Sequence, residues 1–169
     1  MEAIAVYPEG LAEEGAKELL FLGAESVRPS HRTVAFQADM SCFYRLHLQA
    51  RLPFRFLREI ARFSCDGPES LYIAVQSALD WERWLHPSMS FRVDVTGTCK
   101  GLTHTHFTAL QVKNALVDLQ RGLWAKRSDI ELIDPDLCVH LHLSHSGGVL
   151  SLDSSSRSLH RRGYRAAMG

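Results

Sequence analysis

The apolar residues of this chain switch repeatedly between a period of two and a period near 3.6, which restricts its fold more than any other feature. Alternation over a few residues marks a strand buried on one face; an i, i+4, i+7 spacing marks a helix. Ala3 to Tyr7 forms a short apolar strand ending at Pro8. Ala12, Ala16, Leu19 and Leu20 then fall on one helical face, and Gly23 closes that helix. Two strands follow, around residues 25–28 and 33–36, joined by the hairpin turn Pro29-Ser30-His31-Arg32. Cys42 to Leu52 reads as a second helix, and Phe54 to Phe63 as a fourth strand. The order βαββαβ is that of a ferredoxin-like domain, assigned to residues 1–66.

The breakers Cys65-Asp66-Gly67-Pro68 mark a boundary. Beyond them Leu71, Val75 and Ala78 predict a helix, Trp81, Trp84 and Leu85 a short second one, and Phe91 to Val95 a strictly alternating strand. The glycine-flanked loop Gly97 to Gly101 leads into a long helix. Val112, Leu116, Leu119 and Leu123 face inward there beside Ala115, while Lys113, Asn114 and Arg121 face out. Leu137 to Leu143 and Gly148 to Asp153 form two more strands around a glycine-containing hairpin loop. The chain is therefore α+β, with a second unit of order ααβαββ over residues 67–165.

Composition narrows the function classes. At 169 residues there is room for one ordinary domain or two small ones. A hydrophobic content of 46% with 22% charged residues is that of a folded chain. No stretch approaches the roughly 18 apolar residues of a membrane span, so no membrane partner is expected. No basic region precedes an apolar run at the N-terminus, as a signal peptide requires. The net charge is zero, yet it is distributed in blocks: residues 1–44 carry −4, 45–127 carry +5, 128–153 carry −5 and 154–169 carry +4. Most of the cations are arginine, whose planar fork suits phosphate. Such blocks fit a polyanion partner, and equally fit solvated faces.

Catalytic and metal signatures are missing. Cys42, Cys65, Cys99 and Cys138 are too far apart for a C-x-x-C pair, and read as reduced thiols of a cytoplasmic protein. His104 with His106, and His140 with His142, have ligand-like spacing but no matching carboxylate or thiol, so no metal is expected. There is no G-x-S-x-G, H-E-x-x-H or P-loop, and Asp134-Pro135-Asp136 reads as a turn. The segment Ser158 to Arg165 differs in kind, holding three arginines, a histidine and a tyrosine, with Arg157 just before it. It has three readings: contact with an RNA backbone and a stacked base, a brace tied to the acidic stretch 129–136, or a solvated tail.

Several pieces taken in order resemble the bacterial RNA guanine-N2-methyltransferases, and among them most closely the large-subunit ribosomal RNA family. They are Glu9-Gly10-Leu11, Glu18-Leu19 and Leu22-Gly23-Ala24; Cys42-Phe43-Tyr44-Arg45 with Leu48 and Arg51; Leu71-Tyr72 with Trp81; Phe107 to Ala115; Leu152-Asp153; and Leu159-His160-Arg161-Arg162-Gly163-Tyr164-Arg165. The chain departs from that pattern at Ser156, where the family has glycine, and at Arg127-Ser128, where it has Arg-Pro. The resemblance implies a ferredoxin-like domain and a THUMP domain that grip structured RNA, ribosomal or transfer, for a fused methyltransferase domain. It carries over Lys100, Lys113, Arg161, Arg162 and Arg165 as RNA-binding candidates. The amides opening the long helix add a phosphate site beside Thr103 and His106. Lys113 also reads as part of a solvated face. The family's methyl transfer uses S-adenosylmethionine and an Asn-Pro-Pro-Tyr-type loop. Here the single asparagine, Asn114, precedes Ala115, so no cofactor is expected within these residues and the 169 residues alone are not expected to be catalytic. Residues 166–169 read as the start of the catalytic domain. A stand-alone protein-interaction or scaffold domain is the alternative.

Overall fold

The computed structural model describes residues 1–145, 147–155 and 158–159. Its first six elements are β1 (Glu2–Val6), α1 (Ala12–Phe21), β2 (Glu25–Pro29), β3 (Thr33–Gln37), α2 (Met40–Gln49) and β4 (Arg55–Phe63). After them come α3 (Pro68–Ser77), α4 (Trp81–Trp84), β5 (Ser90–Gly97), α5 (Thr105–Trp124), β6 (Asp129–Ile130), β7 (Leu137–Ser144) and β8 (Gly147–Asp153). They form two units, one of residues 1–59 with 153–169 and one of residues 60–152. The fold is mixed α and β, with the expected order βαββαβ followed by ααβαββ and one added short strand, β6.

In the first unit β1 lies between β3 and β4, antiparallel to both, and β2 borders β3, the ferredoxin-like order. Ala3, Ala5 and Tyr7 alternate inward, as period-two spacing requires. Gly15 lets α1 lie close over this sheet: a Cβ there would fall 2.2 Å from the Tyr7 ring. That approach centres the buried stripe on Ala12, Gly15, Ala16 and Leu19. Leu20, expected on the same face, is instead 56% exposed. Gly23, at φ +97°, ends the helix, with the Gly23 and Ala24 amides donating to the Leu20 and Leu19 carbonyls. Helix α2 begins two residues earlier than expected because Asp39 caps it, its carboxylate accepting from the Cys42 amide at 2.6 Å.

In the second unit β5 runs parallel to both β7 and β6, and β7 is antiparallel to β8. Trp81, Phe91, Leu116, Val139 and Leu150 belong to one core between this sheet and the helices, and Ile60 and Phe63 of β4 pack against it. The indole of Trp81 donates to the Val75 carbonyl at 2.7 Å, so the largest buried ring leaves no polar atom unpaired. Helix α5 buries Thr108, Val112, Ala115, Leu116 and Gln120. Leu123, expected inside, is 47% exposed. The stripe follows 108, 112, 115, 116 and 120 because two polar residues on it are satisfied internally. Thr108 donates back to the His104 carbonyl at 3.0 Å, and Gln120 bonds Leu85 and Ser128.

Candidate nucleic-acid interface

Sequence expectations gather at the start of α5. Gly97 ends β5 at φ +72°, where any Cβ would meet the Leu143 carbonyl at 2.0 Å. The chain then makes a tight turn, with Cys99 and Leu102 exchanging backbone hydrogen bonds of 3.3 and 3.1 Å around Lys100 and Gly101. Both flanking side chains are buried, which anchors the turn and leaves Lys100 exposed at its tip. Gly101, at φ +82°, approaches the entrance of α3: a Cβ would lie 3.2 Å from the Asp66 carbonyl. There the Ser70 hydroxyl accepts from the Asp66 and Gly67 amides at 3.1 and 3.2 Å. The turn carrying Lys100 thus rests on an ordered helix start.

Helix α5 opens at Thr105 with His104 at its N-cap and no side-chain cap. The first helical bond is Thr108 N–H to His104 carbonyl, 3.0 Å. The amides of Thr105, His106 and Phe107 precede it and have no intrahelical acceptor. Thr103, His104, Thr105 and His106 are all exposed. Together the free amides and the helix dipole make this an anion-favouring position. Lys113 lies seven residues beyond His106, on the same stripe of α5 and about 10 Å along its axis at 1.5 Å per residue. It is half-buried. Lys100, Thr103 and His106 are therefore neighbours at one end of a helix whose side carries Lys113. The segment with Arg161, Arg162 and Arg165 lies outside the described residues, as does Ser156.

What leads to that segment was not anticipated. After β8 the chain is stitched to the first unit. Asp153, almost fully buried, takes a 2.6 Å ion pair from Arg55. The Ser154 amide donates to the Phe56 carbonyl at 3.0 Å, the Phe56 amide to Ser155 Oγ at 2.7 Å, and the Leu159 amide to the Phe54 carbonyl at 2.8 Å. His47 Nε2 sits 2.9 Å from Ser154 Oγ, while its Nδ1 donates to the Phe43 carbonyl at 2.8 Å. The sequence traces of this strap were the Leu152-Asp153 pair and Leu159, since serine-rich stretches carry no periodicity.

Other candidates take structural roles. His140 and His142 both face Thr96 Oγ1, at 3.3 and 3.0 Å, and among the described residues no three His, Cys, Asp or Glu side chains cluster as metal ligands. The Cys99 thiol is pushed up to about 11 by burial and by its hydrogen bond with Cys65, which keeps it protonated at neutral pH. Asn114 stands inside α5, next to the buried Ala115, and forms no loop for a base amine. Among the described residues no helix is long and apolar enough to cross a membrane.

Comparison with known proteins adds to this geometry. The THUMP domain family matches residues 69–153, and the RlmL ferredoxin-like domain matches residues 2–57. The chain is 41% identical over 165 residues to a Synechocystis sp. protein named as an RNA methyltransferase, slr0064, covering 98% of this chain and 43% of that protein. It is 42% identical over 168 residues to the ribosomal RNA large subunit methyltransferase K/L of Ectopseudomonas mendocina, covering 99% of this chain and 23% of that enzyme. The chain thus spans less than half the length of either relative. In fold it matches the crystal structure of a possible methylase from Clostridium difficile 630 with a TM-score of 0.82 at 19% identity, over 99% of this chain and 45% of that one.

Proposed function

The chain belongs to the THUMP-domain family, with an RlmL ferredoxin-like domain ahead of the THUMP domain, and on that premise we propose that it holds structured RNA for a guanine-N2 methyltransferase of large-subunit ribosomal RNA. The observation that carries this reading is the uncapped start of α5, with exposed Thr103 and His106 and the buttressed turn of Lys100 beside it. Its unpaired amides take a phosphate, Lys100 neutralises it, and Lys113 follows the backbone along the helix. Arg161, Arg162 and Arg165 of the terminal motif are assigned to the same RNA partner. Methyl transfer from S-adenosylmethionine is assigned to the part of the relatives' length that this chain does not span, since the sequence carries no Asn-Pro-Pro-Tyr-type loop. The same reading places the protein in the cytoplasm.

The test is binding of the chain to a hairpin of large-subunit ribosomal RNA, followed by fluorescence anisotropy. Lys100→Glu weakens binding by roughly tenfold, the equivalent of one charge-assisted contact. Arg161→Glu with Arg162→Glu abolishes it while the melting profile stays intact. A melting profile that collapses instead assigns those arginines to a brace. Affinity unchanged in all three positions removes the reading.

A further inference from the structure

Opposite in charge to the RNA candidates is the stretch made of β6 and the loop after it, Asp129-Ile130-Glu131-Leu132-Ile133-Asp134-Pro135-Asp136. It carries four carboxylates, and no lysine or arginine occurs anywhere in residues 128–153. Within it Leu132 is 68% and Ile133 87% exposed, with Ile130 exposed beside them. Two adjacent aliphatic side chains held this far into water are costly unless something covers them.

The loop is also built, not slack. Ser90 and Phe91 of β5 pair with Asp129 and Ile130, and the Glu131 amide donates to the Phe91 carbonyl at 3.2 Å. The guanidinium of Arg92, itself bonded to Asp94, donates to the Leu132 carbonyl at 2.7 Å. The Ile133 amide donates to Glu131 Oε1 at 2.8 Å. Both the amide and the hydroxyl of Ser90 donate to Asp136, which holds that carboxyl below its ordinary range. A preformed loop loses little entropy when a partner covers it.

We propose that this loop is a docking site for a protein segment rich in lysine or arginine that also carries an apolar anchor. The carboxylates supply the charge complement, and Leu132 and Ile133 the apolar contact. RNA does not fit, because phosphates would face four carboxylates. A second copy of this chain does not fit either: a two-fold contact would set one acidic loop against another. The inference is independent of the RNA reading.

The experiment uses the full chain and two short synthetic peptides, one alternating lysine with leucine and one alternating lysine with serine. The lysine–leucine peptide binds at least about tenfold more tightly, a difference of roughly 1.4 kcal/mol. Its amide chemical-shift changes centre on residues 129–136, and Leu132→Ser with Ile133→Ser erases the preference. Should that double variant melt early, Ile133→Ser alone carries the same comparison, since this side chain is the more exposed. Equal binding of both peptides overturns the proposal, as do shifts centred elsewhere or a preference that survives the substitutions. A dimer that the double variant dissociates makes a second copy the occupant, and shifts of this loop on adding RNA make it part of the RNA face; either outcome overturns the proposal.

Discussion

Tyr7 shows how one buried atom sets a pH dependence. Its ring is fully buried beneath Gly15, and its hydroxyl finds no hydrogen bond among the described residues. Burial, with Glu18 nearby, pushes that hydroxyl above the ordinary tyrosine range. A folded-state pKa raised above the unfolded value of about 10 gives stability that is present below that pH and lost as pH rises past it. Tyr7→Phe is therefore within about 1 kcal/mol of the parent at neutral pH, or more stable, because it removes an unpaired polar atom. It also loses less stability above pH 10 or so. Urea midpoints of both chains at neutral and alkaline pH check this; identical alkaline losses would contradict it. Ser128 gives a second case at this scale. Its amide donates to Gln120 Oε1 at 2.8 Å, its oxygen accepts from Gln120 Nε2 at 2.8 Å, and its hydroxyl donates to the His86 carbonyl at 3.1 Å. Proline at this position would lack the N–H that donates to Gln120. Ser128→Pro should cost about 1–3 kcal/mol, and an unchanged urea midpoint would refute that.

Among the elements, the strap of residues 153–155 and 158–159 matters most for the proposed site, because the arginine-rich segment follows it in sequence. Ser154→Ala with Ser155→Ala removes the two hydroxyls that meet Phe56. We expect a local loss of about 1 kcal/mol per hydrogen bond. It should appear as faster amide exchange at Phe56 and Leu159, with weaker RNA binding and unchanged helix content. Exchange at those amides that stays at parent rates would show that the strap is held by other contacts. This element was also the least legible beforehand. Strands such as Phe91 to Val95 and the long helix announced themselves through period, which depends on residues close in sequence. The buried stripe of α1 was misplaced at Leu20 because its centre is Gly15, a residue with no apolar signal. Strand β6 has only two residues and exists because β5 offers it a free edge. Asp153, Ser154 and Ser155 of the strap are polar residues bonded to positions nearly a hundred away, such as Ser155 to Phe56. For the interface, the glycines flanking Lys100 were visible in the sequence; their rest on Asp66 and Gly67 depends on tertiary packing and was not.

At the scale of the whole molecule, zero net charge is a sum of opposed regions with different uses. One positive block holds the Lys100 turn and α5, and the other holds the terminal arginines. The acidic block between them holds the loop proposed to dock a basic protein segment. Neutral overall charge weakens long-range attraction to RNA but leaves local phosphate contacts intact, and these have a measurable signature. Every neutralised phosphate releases counterions, so log K falls with log salt by roughly 0.7–0.9 per contact. The most direct measurement is this slope for the chain on a hairpin of large-subunit ribosomal RNA, for the parent and for Lys100→Glu. The RNA-holding account predicts linear salt dependence, a slope that shrinks by about one contact in the variant, and weaker binding to duplex DNA of equal length. Affinity indifferent to salt, or equal affinity for the DNA duplex, would contradict it.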